Sequence, residues 1–190
     1  MDIPTKIVPN LNFRLAILDD VPVIVDLLNV AYRQEEGRSW TSESKIVTGD
    51  RVNDQQLEDS FRQSHFELFV AELDQNIVAC IGLTFSESDV EVGTFAIAPH
   101  YQNQGLGRQV LDFAENHVHK SIQYKKLKYF VMWVLSVRYE LIAYYERRGY
   151  VQTGVVGDYP LDANVGTPIV DLYLVEMRKM ISKDRIQNRP

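Results

Sequence analysis

The sequence predicts a mixed α/β (α+β) domain, a mostly antiparallel sheet covered by helices, and three observations lead there. At 67–73 (ELFVAEL) and 77–86 (IVACIGLTFS) the apolar spacing changes to a period of two on either side of the short turn DQN, which marks an antiparallel hairpin. Residues 129–135 (YFVMWVL) form an unbroken apolar run, as in a central strand covered on both faces. Stretches with helical apolar spacing separate such strands, giving the order β, α, α, β, β, β, α, β, α, β, β.

The first strand is expected at 13–18 (FRLAIL), where Phe13, Leu15 and Ile17 share one side. Asp19 and Asp20 then stand where helix N-caps are favoured, and Pro22 suits a first turn because its missing N–H needs no partner there. That helix runs to about Tyr32 and buries Val21, Ile24, Val25 and Leu28. Residues 33–53 are polar and broken by Gly37 and Gly49, yet hold Trp40, either a pocket-lining lid residue or a packing anchor for the loop. A second helix over 54–62 has Asp54 as its expected cap. After the hairpin, another strand spans 89–98, and a helix follows the turn at 102–108. A short helix at 140–148 (ELIAYYERR) ends at Gly149, a natural C-terminal glycine. The last strands are expected at 150–154 and 169–177, with a loop between them.

A chain of 190 residues, 45% apolar and 24% charged, fits one packed domain, expected over 1–180 with a polar tail at 181–190. The net charge of -6 argues against a dedicated nucleic-acid binder. The basic stretches YKKLK at 124–128 and ERR at 146–148 read as solvated edges or as a local patch. The single cysteine, Cys80, lies in an apolar run and reads as a small buried hydrophobe, so no disulfide forms within the chain. The N-terminus has no basic-then-apolar leader pattern, and no apolar run approaches the roughly 18 residues of a membrane span. The expected setting is cytoplasmic, without nucleic-acid or membrane partners, as a monomer or homodimer. His117 and His119 do not share a helix face, so no metal site is expected.

Chemistry concentrates between Phe95 and Val118 (FAIAPHYQNQGLGRQVLDFAENHV), where a strand meets a glycine turn at the mouth of a helix. A helix N-terminus carries unpaired N–H groups and partial positive charge, and glycines let an oxygen-rich ligand approach that backbone. Gln102, Asn103, Gln104, Gly105, Leu106, Gly107 and Arg108 therefore form a candidate phosphate cradle. The dinucleotide fingerprint fails because Val110 stands where its third glycine belongs, and the Walker pattern lacks its Gly-Lys-Ser/Thr. The remaining rival is a purely structural strand-to-helix turn, with Leu106, Val110, Phe113 and Ala114 as core.

In its wider context the stretch resembles the signature of the GNAT superfamily of N-acetyltransferases. Ile97, Ala98 and Pro99 lead into Gln102-x-x-Gly105-x-Gly107, and further on Tyr145, Glu146, Gly149 and Tyr150 fill the family's Y-E-x-x-G-F/Y pattern. The resemblance spans about residues 13–177 and implies a GNAT-type sheet flanked by helices on both faces. It implies transfer of an acetyl group from the co-substrate acetyl-CoA to a primary amine, by direct attack in a ternary complex. The alternative is a non-catalytic acyl-CoA-binding or interaction module with the same fold.

By the same resemblance, the backbone around Phe95, Ala96 and Ile97 holds the pantetheine arm and the 102–108 turn holds the pyrophosphate. Tyr145 is the implied general acid for the leaving thiolate, since a phenol is protonated at neutral pH; Tyr144 is the alternative. Glu91 resembles the catalytic glutamate of the histone-acetylating branch, although many members deprotonate the amine through ordered water. Strand alternation puts Glu91 and Ile97 on one side unless a bulge intervenes. One departure from the family is Arg138, where an asparagine often touches the cofactor. The acceptor cleft is expected to draw on Tyr32, Glu35, Glu36, Trp40 and Arg51, for a small-molecule or peptide amine.

Overall fold

The computed structural model describes residues 10–34 and 42–182, so Glu35, Glu36 and Trp40 lie outside the described residues. Among the described residues, nine strands and four α-helices follow in order: β1 (Asn12–Leu15), α1 (Val21–Arg33), β2 (Val47–Thr48), α2 (Asp54–Phe61), β3 (Phe66–Leu73), β4 (Asn76–Phe85), β5 (Asp89–Ile97), α3 (Leu106–Lys120), β6 (Tyr129–Leu135), α4 (Tyr139–Glu146), β7 (Val151–Gly157), β8 (Thr167–Pro168) and β9 (Leu174–Met180). Seven strands form one sheet in the order β1-β3-β4-β5-β6-β9-β7, and β2 pairs with β8 apart from it. Every pairing in the large sheet is antiparallel except β5 with β6, which the crossover through α3 makes parallel.

Helices cover both faces. Strand alternation sends Leu68 and Val70 of β3 to one side, where Ile24, Leu28 and Leu57 of α1 and α2 pack with Cys80 and Ala96. Phe69 and Ala71 go to the other side, against Leu106, Val110, Leu111 and Ala114 of α3 and Ile142 of α4. Cys80 is fully buried, and β6 is covered along nearly its whole length, as its apolar run requires.

Local details differ from the expectations in ways that have physical causes. The first strand stops at Leu15, because Asp20 draws the chain into a 3-10 turn at Leu18–Asp20. Its carboxylate accepts the Ile17 N–H at 2.8 Å and pairs with Arg14 at 2.7 Å, so it does not cap α1 as expected. For α2 the cap is Asn53, not Asp54: Asn53 accepts from the Gln56 N–H at 2.9 Å while Gln56 accepts the Asn53 N–H at 2.8 Å. The final strand lies later than 169–177, at Leu174–Met180, and the exposed Ile169 and Val170 precede it. Packing continues at least to Ile181, whose N–H donates to the Lys128 carbonyl at 2.8 Å. Gly149 does end α4, at φ +87°, a conformation that side chains resist.

Candidate active site

The ladder between β5 and β6 joins only Asp89–Glu91 to Tyr129–Val131. Beyond it a cavity of about 500 Å³ opens, lined by Gly93, Thr94 and Phe95 on one wall and Met132, Trp133, Val134 and Leu135 on the other. A second cavity, of about 440 Å³, lies along the glycine turn and α4. Tyr32, Phe95, Leu141 and Tyr145 line both, so the two spaces meet at these four side chains.

The junction owes its shape to β5. Its register with β4 slips between Cys80 and Gly82, and Thr94 takes a φ of +45°, which together define a bulge. The bulge breaks the expected parity: Ile97 faces α3 with Val90 and Val92, while Glu91 is on the opposite side of the strand. It also frees the Phe95 carbonyl from the ladder, and the Tyr32 hydroxyl donates to it at 2.7 Å.

The expected cradle divides into groups that face the groove and groups that shape it. Gln102, Asn103, Gly105, Gly107 and Arg108 line the 440 Å³ cavity with Ala96 and Ile97. Leu106 is core, Gln102 spends its amide on the Ile97 carbonyl at 3.0 Å, and Gln104 donates to the His100 carbonyl at 2.7 Å. Gly105 sits at φ +89°, in the left-handed region, and opens α3. Gly107 has no such need; a Cβ there would stand 3.1 Å from the Tyr144 hydroxyl and 3.8 Å from Ile97, at the groove itself.

Four arginines among the described residues line the groove: Arg138, which is paired with carboxylates, and Arg108, Arg147 and Arg148. The guanidinium of Arg148 lies 3.4 Å from the Tyr144 ring centroid and donates to the Tyr144 carbonyl, while its Nε is a buried nitrogen without a hydrogen-bond partner among the described residues. An open helix N-terminus, a glycine floor and three arginines fit a polyanion such as the diphosphate of coenzyme A.

Tyr145 is 7% exposed, and burial raises its phenol well above the ordinary value, so it is protonated throughout the working pH range. Tyr32 is pushed up to about 12, also by desolvation. Glu91 opens to the 500 Å³ cavity, and loss of hydration against the cavity walls raises its carboxyl above the usual range.

Of the residues expected at the acceptor cleft, Tyr32 and Arg51 do line that cavity. Glu43, Asp158, Tyr159 and Trp133 line it as well, and the sequence pointed to none of them. Tyr159, an aromatic in a polar connection, carried the same signal as Trp40. Glu43 takes Arg33 at 2.7 Å and Arg138 at 3.5 Å, and Arg138 also holds Glu140 at 2.6 Å. Arg138 is thus buried among carboxylates at the start of α4, and its charge is matched before any phosphate arrives.

Arg33 also donates to the carbonyls of Gly49 and Val165, both at 2.8 Å, and so ties three acceptor-side segments together. Arg33→Met is expected to lower stability by roughly 2 kcal/mol, less than the usual cost of breaking a buried pair because Arg138 still faces Glu43. Urea unfolding reads this as a lower midpoint at constant slope. An unchanged midpoint would make the tie energetically silent.

Residues 64–152 match the sequence model of the acetyltransferase (GNAT) domain. The fold is similar to that of a ribosomal-protein alanine N-acetyltransferase from Escherichia coli, with a TM-score of 0.66 at 16% identity, covering 95% of this chain and 99% of that one. A GNAT family acetyltransferase from Elizabethkingia anophelis, solved with acetyl-CoA bound, gives 0.64 at 18% identity over 90% of this chain and 98% of that one. A spermidine/spermine N-acetyltransferase from Vibrio cholerae gives 0.61 at 18% identity over 92% and 96%.

Proposed function

From the match of residues 64–152 to the acetyltransferase (GNAT) domain and a fold similar to that of solved N-acetyltransferases, we propose an acetyl-CoA-dependent N-acetyltransferase acting on a primary amine by direct attack in a ternary complex. The observation that carries this reading is the meeting of the two cavities at Tyr145, because donor and acceptor must reach one point without passing through bulk water. A cytoplasmic setting, where acyl donors are made, goes with it.

Acetyl-CoA supplies the activated acetyl group as a thioester. The α3 N-terminus with Arg108, Arg147 and Arg148 holds its anionic end, and the β5 backbone at Phe95–Ile97 orients the arm toward Tyr145. Glu91 accepts a proton from the ammonium, directly or through one ordered water, which frees the nitrogen lone pair to attack the acetyl carbon. Tyr145 gives its hydroxyl proton to the departing thiolate as the C–S bond breaks. The protons balance: the ammonium loses one to Glu91 before attack, which Glu91 later returns to solvent, and the nitrogen loses a second once the C–N bond has formed, which restores the Tyr145 hydroxyl after its proton has gone to the thiolate.

Calorimetry with acetyl-CoA and with free CoA, followed by thiol release over an amine panel, tests the proposal. Absence of CoA binding refutes it, and binding with no turnover on any amine would reduce the protein to a binding module.

Glu91→Gln addresses the base. A base works only when deprotonated, so kcat/KM should rise with pH through the Glu91 titration, and the carboxyl's partial desolvation at the cavity, on a residue that is otherwise exposed, places that limb above the ordinary carboxylate range. In the variant the rate should fall about 100-fold and the limb should vanish. Retention of both rate and limb would assign deprotonation to water alone.

A further inference from the structure

The acceptor cavity carries charges of both signs, and their positions relative to the point of transfer restrict what it can hold. The guanidinium carbon of Arg51 lies 5.5 Å from the Tyr32 ring centroid, and the Tyr32 hydroxyl holds the Phe95 carbonyl at the junction with the donor groove. The cation therefore lines the acceptor cavity against the ring of the side chain that reaches the junction. Among the described residues Arg51 joins no carboxylate, whereas the cavity's Glu43 is held by Arg33 and Arg138. Glu91 and Asp158 line the same space and form no ion pair among the described residues. The wall beyond them is apolar, with Met132, Trp133, Leu135 and Leu174.

Resting on the acetyl-transfer reading, we infer that the acceptor is a free α-amino acid with a large apolar side chain. Its carboxylate meets Arg51, its ammonium lies between Tyr145 and Glu91, and its side chain covers the apolar wall. One carbon separates amine from carboxylate in such a molecule, so the cation that reads the carboxylate must sit on the junction side of the cavity, where Arg51 stands against the Tyr32 ring. A polyamine sets its further cations against that guanidinium. A peptide N-terminus offers a neutral amide in place of the carboxylate, and so leaves the planar fork of the arginine without its charge partner. A cavity of about 500 Å³ suits one amino acid of this size.

Thiol release from acetyl-CoA, measured with phenylalanine, phenylalanine amide, phenylethylamine and spermidine, tests the inference. Phenylalanine should exceed the amide and phenylethylamine by about 10- to 100-fold in kcat/KM, the worth of a charge-assisted contact. Arg51→Gln should raise the KM for phenylalanine by a similar factor, erase its advantage over phenylethylamine and leave acetyl-CoA affinity unchanged, with partial recovery in Arg51→Lys. Equal or better turnover of phenylethylamine or spermidine by the unaltered protein overturns the inference, whatever the variants do. So does an Arg51→Gln protein that binds acetyl-CoA normally and keeps its preference. Failure to bind acetyl-CoA at all is a different result, since it removes the acetyltransferase reading itself.

Discussion

Tyr145→Phe is expected to lower kcat by about 100- to 1,000-fold, with acetyl-CoA affinity within about twofold of the unaltered protein. The substitution removes one oxygen from a ring that is otherwise core: Tyr145 packs edge-on against Tyr144 and Tyr150, at centroid distances of 5.3 and 5.9 Å, and phenylalanine keeps those contacts. The loss therefore falls on proton donation and not on binding. Burial keeps the phenol protonated across the accessible range, so the unaltered protein should show no basic limb from this group below pH of about 10, and the deficit should be uniform in pH. Tyr144→Phe separates the two phenols. Tyr144 stands at the glycine turn beneath Arg148, so its loss should act on the KM for acetyl-CoA. Steady-state kinetics over a pH series decides the matter, and full activity in Tyr145→Phe would end the acid assignment.

The second large effect is on cofactor affinity. Gly107→Val should weaken acetyl-CoA binding by about 100-fold or more while moving Tm by only a few degrees. Gly107 lies in the first turn of α3 with an ordinary backbone conformation, where valine is no worse a helix former than glycine. Its branched side chain would enter the groove beside Tyr144, Ile97 and Phe95, which lie 3.1, 3.8 and 4.0 Å from a Cβ at that position. Gly105 is the informative contrast. At φ +89° any side chain is strained, so Gly105→Val should lose affinity and about 1–2 kcal/mol of stability together. Calorimetric affinity beside thermal unfolding of both variants separates the two effects. An unimpaired affinity in Gly107→Val would leave the turn a structural element only.

Hairpin β3/β4 and helices α1 and α3 were legible because their patterns are local: residues two apart on a strand, or three and four apart on a helix, must share a face. The glycine turn was legible for the same reason, since a backbone position that needs glycine shows itself at that position. Capping was less so. Asp20 and Asp54 have the right chemistry in the right neighbourhood, but Arg14 claimed the first and the Asn53–Gln56 pair displaced the second. The final strand misled because Ile169 and Val170 are apolar yet exposed, so the hydrophobic run did not coincide with the pairing.

The acceptor side follows the opposite logic. Glu43 and Asp158 carry no signal in the sequence and Arg138 shows there only as a departure from the family's asparagine, so their roles emerge from packing between segments distant along the chain. Glu43 meets Arg138 through the packing of the α1–β2 connection on α4, and Asp158 enters the cavity because β9 carries β7 to the sheet edge. The bulge at Thr94 turns the Phe95 carbonyl toward Tyr32 and sets Glu91 on the face opposite Ile97. By itself the sequence determined most of the elements, the glycine turn and the place of a phenol on α4, all of which depend on near neighbours. Only the tertiary structure decided how far β5 and β6 stay paired and which charges face the resulting gap, because both are set by contacts between residues far apart in the chain.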